Sequence, residues 1–499
     1  MLKKYFFIVL SFIIAFLVIK QSLILRNFNY DVYPTPGLDE YNYVWQAISL
    51  RKTGLPLAWT LNSGEYKNPK YQPVAGNVEG FSINSFDQKK FQYQKSPLSA
   101  VKELDYGKGM EQILFVAPFF DHPPIGGLVY ELGMPKNIEE IEQVKPSDFR
   151  KSAIVLAVIT SVLLYILLFL VFGNPWVPLL STIIYSTVPT YILATRTAYL
   201  ENVVSPLALL SLIFLYLAIN YFVQKRKLFF INLFIVLSGL FGGLSVLAKE
   251  PAIGFLVGFF ILLVINKTPI KSMLLFVLSA FLPVFIYILW GFWLQKNLFL
   301  GIFFTNAGRS YFGAIKMVTQ LEALKFKNFP VDGWWIWGLV SFLIISLKTK
   351  SKKILFLTIP LLAHLLTVLF MPSPNYPWYL LSCIPFLAAC SAVFIWQIIK
   401  NPSWASALAF FFIPFSSSYY WGRAALNLNP SISHYSYIFV IFIVFLFIRL
   451  KLTKFKIIHD LWFLFLFFLI YRVFIYNQVS FPYLMAHWSS LPVPSLPNF

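Results

Sequence analysis

The chain has 499 residues, of which 58% are hydrophobic and only 12% charged, with a formal net charge of +20. A soluble domain of this size cannot hide that much apolar surface, so the composition is that of an integral membrane protein. Nucleic-acid binding is argued against too: the basic residues sit in short groups between apolar runs, where orientation and anionic headgroups account for them.

The chain begins with two lysines and an apolar run over 5–25. No small-residue cleavage site follows, so the run reads as a retained first span, with Lys20 snorkelling toward headgroups. The stretch 26–150 then holds 15 of the 20 Asp and Glu residues. Acids are costly in hydrocarbon, which marks this stretch as a long aqueous loop. Within it, DEYNYVWQAISLRKTG (39–54) and PPIGGLVYELG (123–133) predict two short interfacial helices. The polar segment 62–112 predicts turns and short strands.

Further apolar runs follow near 152–172, 175–193, 200–222, 229–247, 251–266, 272–294, 333–347, 354–371, 378–398, 403–421, 435–450 and 457–476. With the first, these predict an all-α polytopic membrane protein of about 13 transmembrane helices. Gly239 and Gly243 form a small-xxx-small pair that predicts a close helix contact. Cys383 and Cys390 would lie about 10.5 Å apart on one helix, too far for a disulfide.

Charge distribution orients the bundle. With a cytoplasmic N-terminus, the cytoplasmic joints are basic and free of acids: QKRK (224–227), NKTPIK (266–271), KTKSKK (348–353) and RLKLTKFK (449–456) among them. The opposite loops hold nearly all the acids. The loop 26–150 and a short tail, 477–499, then face outward from a plasma membrane.

Several polar residues collect at that face. Asp39, with Glu40 beside it, starts a helix: an Asp there is an ordinary N-cap, or a carboxylate that takes a proton or holds a metal. Asp121 and His122 precede a Pro-started helix and are helix-entry residues or further site groups. Arg196 and Glu201 form an interfacial pair or a functional one, and Lys249 lies in a tight turn. His364, inside an apolar run, reads as a packed histidine. No spaced zinc motif occurs.

In order and spacing, GLDEYNYVWQAISLRKTGLP, FFDHPPIGGLVYELG, ATRTAYLENVVSPLALLSLIFLYLA, GLFGGLSVLAKEPAIG and YPWYLLSCIPFLA resemble the GT-C superfamily of polytopic glycosyltransferases. The nearest likeness is to bacterial relatives of protein O-mannosyltransferases and of the lipid A aminoarabinose transferase. The resemblance implies one GT-C type transmembrane domain over 1–476, with its site on the non-cytoplasmic face. It implies a polyprenyl-phosphate sugar donor and inverting transfer to a protein, lipid or glycan acceptor, with Asp39 as general base. By the same resemblance Arg196 and Lys249 bind the lipid phosphate. Glu201, Glu40, Asp121 and His122 are candidates to organise phosphate or a divalent metal of unknown identity. The segment 62–112 is longer than the family's usual connection. A lipid-linked glycan transporter or flippase is the rival reading; it would be expected to show internal repeats and polar, broken helices at mid-membrane.

Overall fold

The computed structural model describes residues 2–32, 38–60, 63–66, 81–82, 92–93, 114–138, 143–224, 227–308, 333–348, 351–370, 377–428 and 432–490. Most of segment 62–112, with its expected turns and strands, lies outside the described residues, as does the tail beyond Ser490.

Each of the thirteen apolar runs is helical. They correspond to α1 (Leu2–Asn27), α5 (Pro146–Phe172), the bent pair α6 (Trp176–Thr187) and α7 (Pro189–Thr195), α8 (Glu201–Val223), α9 (Leu228–Ala248), α10 (Ile253–Ile265), α11 (Ile270–Ala307), α12 (Gly333–Lys348), α13 (Lys352–Phe370), α14 (Ile384–Lys400), α15 (Trp404–Phe410) running into α16 (Ser416–Ala425), α17 (Ile432–Lys451) and α18 (Lys456–Ser490). Among the described residues, nine helices are long and apolar enough to cross a bilayer, and the α6–α7 pair, bent by 71° before Pro189, makes a tenth. The chain is a multi-pass membrane protein.

Two boundaries differ from the sequence reading. The last run was expected to end at 476, yet α18 continues to Ser490, so the tail expected over 477–499 is helical over its first part. Asn477 is no solvent-facing stop: it is buried and its side chain accepts from Ser418 Oγ at 2.7 Å. Likewise α11 runs on to Ala307, past the end of the apolar run 272–294 and a non-helical break at Gln295. Phe299 in this extension packs edge-on against Phe120, with ring centroids 5.3 Å apart.

Local sequence explains the main packing. Pro146 opens α5 at its first turn, and Gly173 closes it in the left-handed region with φ 67°. The Gly239/Gly243 pair does make a close contact. A Cβ at Gly239 would lie 2.6 Å from the Phe276 carbonyl oxygen, and one at Gly243 would lie 2.1 Å from that of Ala280, so α9 meets α11 backbone to backbone. Cys383 and Cys390 are buried and free.

The long loop contributes α2 (Leu38–Thr53), β1 (Ala58–Thr60), the single turn α3 (Ser63–Tyr66), the two-residue strands β2 (Phe81–Ser82) and β3 (Gln92–Tyr93), β4 (Leu114–Val116) and α4 (Ile125–Glu131). β1 pairs antiparallel with β4, Trp59 opposite Phe115. Both expected loop helices form, but α2 is enclosed: residues 40–49 are all buried. α4 packs against it so tightly that a Cβ on Gly127 would stand 2.0 Å from the Tyr43 carbonyl oxygen. α2 reaches its other neighbours through a polar stripe at helical spacing. Asn42 exchanges hydrogen bonds with the Trp59 backbone, Gln46 donates to the His122 carbonyl at 2.7 Å, and the Leu57 N–H donates to Ser49 Oγ.

Glu40 fastens α2 to the bundle. Its carboxylate takes two bonds from the Arg150 guanidinium, at 2.9 and 2.5 Å, and a third from the Ala198 N–H at 2.6 Å, and both side chains are fully buried. Glu40→Ala leaves that guanidinium buried without its counterion, so it is expected to destabilise the protein by about 3–5 kcal/mol. Thermal unfolding in detergent checks this; an unchanged midpoint would contradict the anchoring role.

Candidate active site

α2, the entry to α4, the start of α8 and the α9–α10 turn bring a compact polar group together at the loop end of the bundle. Glu40 and Asp39 are adjacent, so on a helix they point about 100° apart. With Glu40 held by Arg150, Asp39 faces Lys249 and His122. Asp39 is half-buried. Burial pushes its pKa above the ordinary aspartate range, and Lys249 and His122 only partly offset this.

Lys249 caps α9 and is buried, 3% exposed. Its ammonium lies 3.3 Å from His122 Nε2, 5.3 Å from the Tyr379 ring centroid and 5.9 Å from that of Tyr43. Burial alone would push its pKa down. Tyr379, Glu201, Glu250 and Asp39 around it reverse the sign, so the lysine stays charged. His122 Nδ1 in turn lies 3.1 Å from Glu250 Oε1. An ammonium only donates and a carboxylate only accepts. Neutral His122 therefore carries its proton on Nδ1, and Glu250, His122 and Lys249 form one relay.

Glu201 opens α8 and is 2% exposed, yet neither carboxylate oxygen has a hydrogen-bond partner. Its charge is felt by Lys249 and by Tyr43. A buried carboxylate with two open acceptors is costly unless a donor completes it. Tyr43, one turn after Asp39, is held well above its ordinary pKa by burial and then by Asp39 and Glu201, so it remains a hydroxyl donor. Tyr199 stacks on Trp378, with ring centroids 5.2 Å apart.

His364, expected as a packed histidine, is one, and it joins two parts of the site. Its Nδ1 lies 3.1 Å from the Pro251 carbonyl oxygen and so must donate, which leaves Nε2 to accept from Ser382 Oγ at 2.7 Å. The turn holding Lys249 is thereby tied to the 3₁₀ segment Pro377–Cys383, which carries Tyr379.

The candidate residues thus divide. Asp39, His122, Glu201 and Lys249 come together. Glu40 is committed to Arg150 and Ala198. Asp121 accepts from Thr60 Oγ1 at 2.6 Å and from Tyr66 Oη at 3.1 Å, closing the loop around β1. Arg196 is fully buried on another side of the bundle, where it donates to the Phe28 carbonyl and to Met485 Sδ and lies over the Phe481 ring. Tyr43 and Tyr379 were not singled out from sequence, and Glu250 stood only as Lys249's neighbour in a tight turn. Tyr43 had a signal, since it is four residues after Asp39 on the same helix face. Glu250 reads as a helix-end charge until its contact with His122 is seen. Among the described residues no three His, Cys, Asp or Glu groups gather to hold a metal ion. Of the residues expected to organise phosphate or a divalent metal, Glu40 and Asp121 are engaged elsewhere, while His122 and Glu201 lie in the polar group.

Residues 121–293 match a family model described as dolichyl-phosphate-mannose-protein mannosyltransferase, a region that includes His122, Glu201 and Lys249. None of the curated proteins matches the chain significantly in sequence. Among solved structures, ArnT from Cupriavidus metallidurans in the apo state aligns with TM-score 0.51 at 14% identity, over 95% of this chain and 74% of that one. The same protein bound to undecaprenyl phosphate aligns with TM-score 0.50 at 13% identity, over 95% and 75%. The Archaeoglobus fulgidus oligosaccharyltransferase aligns with TM-score 0.46 at 11% identity, over 94% of this chain and 56% of that one. The helical bundle with its enclosed loop helix shares the fold of ArnT, and the family match over 121–293 supports a GT-C superfamily membrane glycosyltransferase.

Proposed function

We propose that the protein transfers a sugar from a polyprenyl-phosphate donor to a hydroxyl acceptor at the outer face of the membrane, with inversion, and that Asp39 is the general base. The observation that carries this reading is a buried, charged Lys249 set beside a half-buried carboxylate at the loop end of the bundle. The ArnT structure with undecaprenyl phosphate supports the donor class by likeness of fold. The basic, acid-free joints at the opposite end support an outward-facing site and a cytoplasmic N-terminus.

In this reading Asp39 takes the proton of the acceptor hydroxyl. The acceptor oxygen attacks the anomeric carbon as the bond to the phosphate oxygen breaks. The electron pair leaves with the polyprenyl phosphate, whose growing charge the Lys249 ammonium balances. The Glu250–His122 pair keeps that ammonium in place. Glu201, with two open acceptors, receives hydroxyls of the sugar, since a carboxylate beside a phosphate would repel it. Arg196, engaged with Phe28 and Met485, supports the fold from behind the site.

The test is consumption of labelled polyprenyl-phosphate sugars by the purified protein in lipid, with a panel of acceptors. Asp39→Asn is expected to lower turnover on the order of 10²–10⁴-fold. The variant should stay folded. A carboxyl whose pKa rises on folding costs stability as pH climbs from its unfolded value through its folded one, and Asn does not titrate. Equal turnover in wild type and Asp39→Asn would remove Asp39 from the chemistry.

The pH profile tests the same assignment. The base must be ionised, so turnover should fall as pH drops through an acid limb lying above the ordinary aspartate range. Lys249→Met removes a charge that favours the carboxylate, so in the residual activity the limb should move to higher pH. A limb that stays in place in Lys249→Met would contradict the coupling of these two groups.

A further inference from the structure

α10 and α13 lie backbone against backbone. A Cβ on Gly254 would stand 2.6 Å from the His364 Cα, and one on Gly258 would stand 2.6 Å from the Pro360 Cα. His364 is buried in this seam, 1% exposed. Its ring stacks on Phe255 with centroids 4.0 Å apart and planes 10° apart, and Phe255 stacks in turn on Phe386 of α14 at 5.0 Å. The stack fixes the plane of the imidazole, so each of its nitrogens has one direction.

Both partners of the ring lie a short step from the polar group. Pro251, whose carbonyl accepts from Nδ1 at 3.1 Å, is two residues after Lys249, in the 3₁₀ turn Glu250–Ala252. Ser382, which donates to Nε2 at 2.7 Å, is three residues after Tyr379 in the segment Pro377–Cys383. Residues three apart in a 3₁₀ helix stand on one face. Ser382 and Tyr379 are therefore turned the same way, and the Tyr379 ring centroid lies 5.3 Å from the Lys249 ammonium. A neutral imidazole offers a donor and an acceptor on one flat ring, which is what this junction uses.

We infer that His364 is a positioning residue for the transfer: it sets where the Lys249 ammonium stands against Tyr379, and so against Asp39 and the phosphate. The inference rests on the reading of Asp39 as base and Lys249 as counter-charge to the phosphate. A lysine stem is flexible, so its ammonium is placed by what surrounds it. Here those groups are His122, Glu201, Glu250 and Tyr379. Glu250 and Tyr379 are carried by the two segments that His364 joins.

A double-mutant cycle in the protein reconstituted in lipid separates positioning from folding. His364→Leu, which keeps bulk and removes both ties, should lower kcat/KM for the donor about 10–100-fold. Its acid limb should move to higher pH, though less far than in Lys249→Met, because the ammonium is displaced and not deleted. His122 and Glu40, which also act on Asp39, stay in place. In a Lys249→Met background His364→Leu should cost little more, since the group it positions is gone. His364→Asn, which keeps a donor toward Pro251, and Ser382→Ala, which removes the other tie, should each lose less; they serve if His364→Leu does not fold. A loss of the same size with and without the Lys249 ammonium, or a limb that stays in place, would overturn the positioning role and leave the assignment of Asp39 and Lys249 standing. An Asp39→Asn protein as active as wild type would overturn that assignment, and this inference with it.

Discussion

Two adjacent acids cannot share one role on a helix. Glu40 and Asp39 diverge by about 100°, and the three hydrogen bonds that Glu40 accepts from Arg150 and Ala198 leave only one direction for its neighbour. The rest of the site follows from that constraint. With α2 fixed in rotation, Asp39 and Tyr43 face Lys249, while Asn42, Gln46 and Ser49 are free to bind β1, the His122 backbone and the loop. The buried ion pair need not add net stability to do this. A pair of this kind is costly to break and determines geometry.

The arrangement separates support from chemistry. Residues that hold the loop have their hydrogen bonds filled: Glu40 by Arg150, Asp121 by Thr60 and Tyr66, His364 by Pro251 and Ser382. Within the polar group the balance is different. Glu201 is buried with both oxygens open, and Asp39 is burdened by burial. Unfilled acceptors beside a charged lysine are stored free energy that a ligand can release, the pattern expected where substrate binds.

Much of this was legible in the sequence, for physical reasons. Hydrocarbon demands long apolar helices, so all thirteen runs could be read, and acids avoid it, so the loop that bears the site stood out. Asp39, Glu201, His122 and Lys249 were found because charged groups near a membrane boundary are few. What sequence could not supply was direction. Nothing in Asp39-Glu40 says which acid pairs with Arg150. Arg196 is five residues from Glu201 in sequence yet points to Phe28 and Met485. Asn477, just past the last apolar run, is buried because its partner, Ser418, lies on another helix. Such pairings join residues far apart in the chain, and only the packed bundle reveals them.

The central claim is that Lys249 balances a lipid phosphate beside Asp39, and the affinity of polyprenyl phosphate for the protein in lipid tests it most directly. Lys249→Gln should weaken binding roughly 10–100-fold, the loss of one charge-assisted contact, while Asp39→Asn should bind as well as wild type or better. Unchanged affinity in Lys249→Gln would contradict the claim.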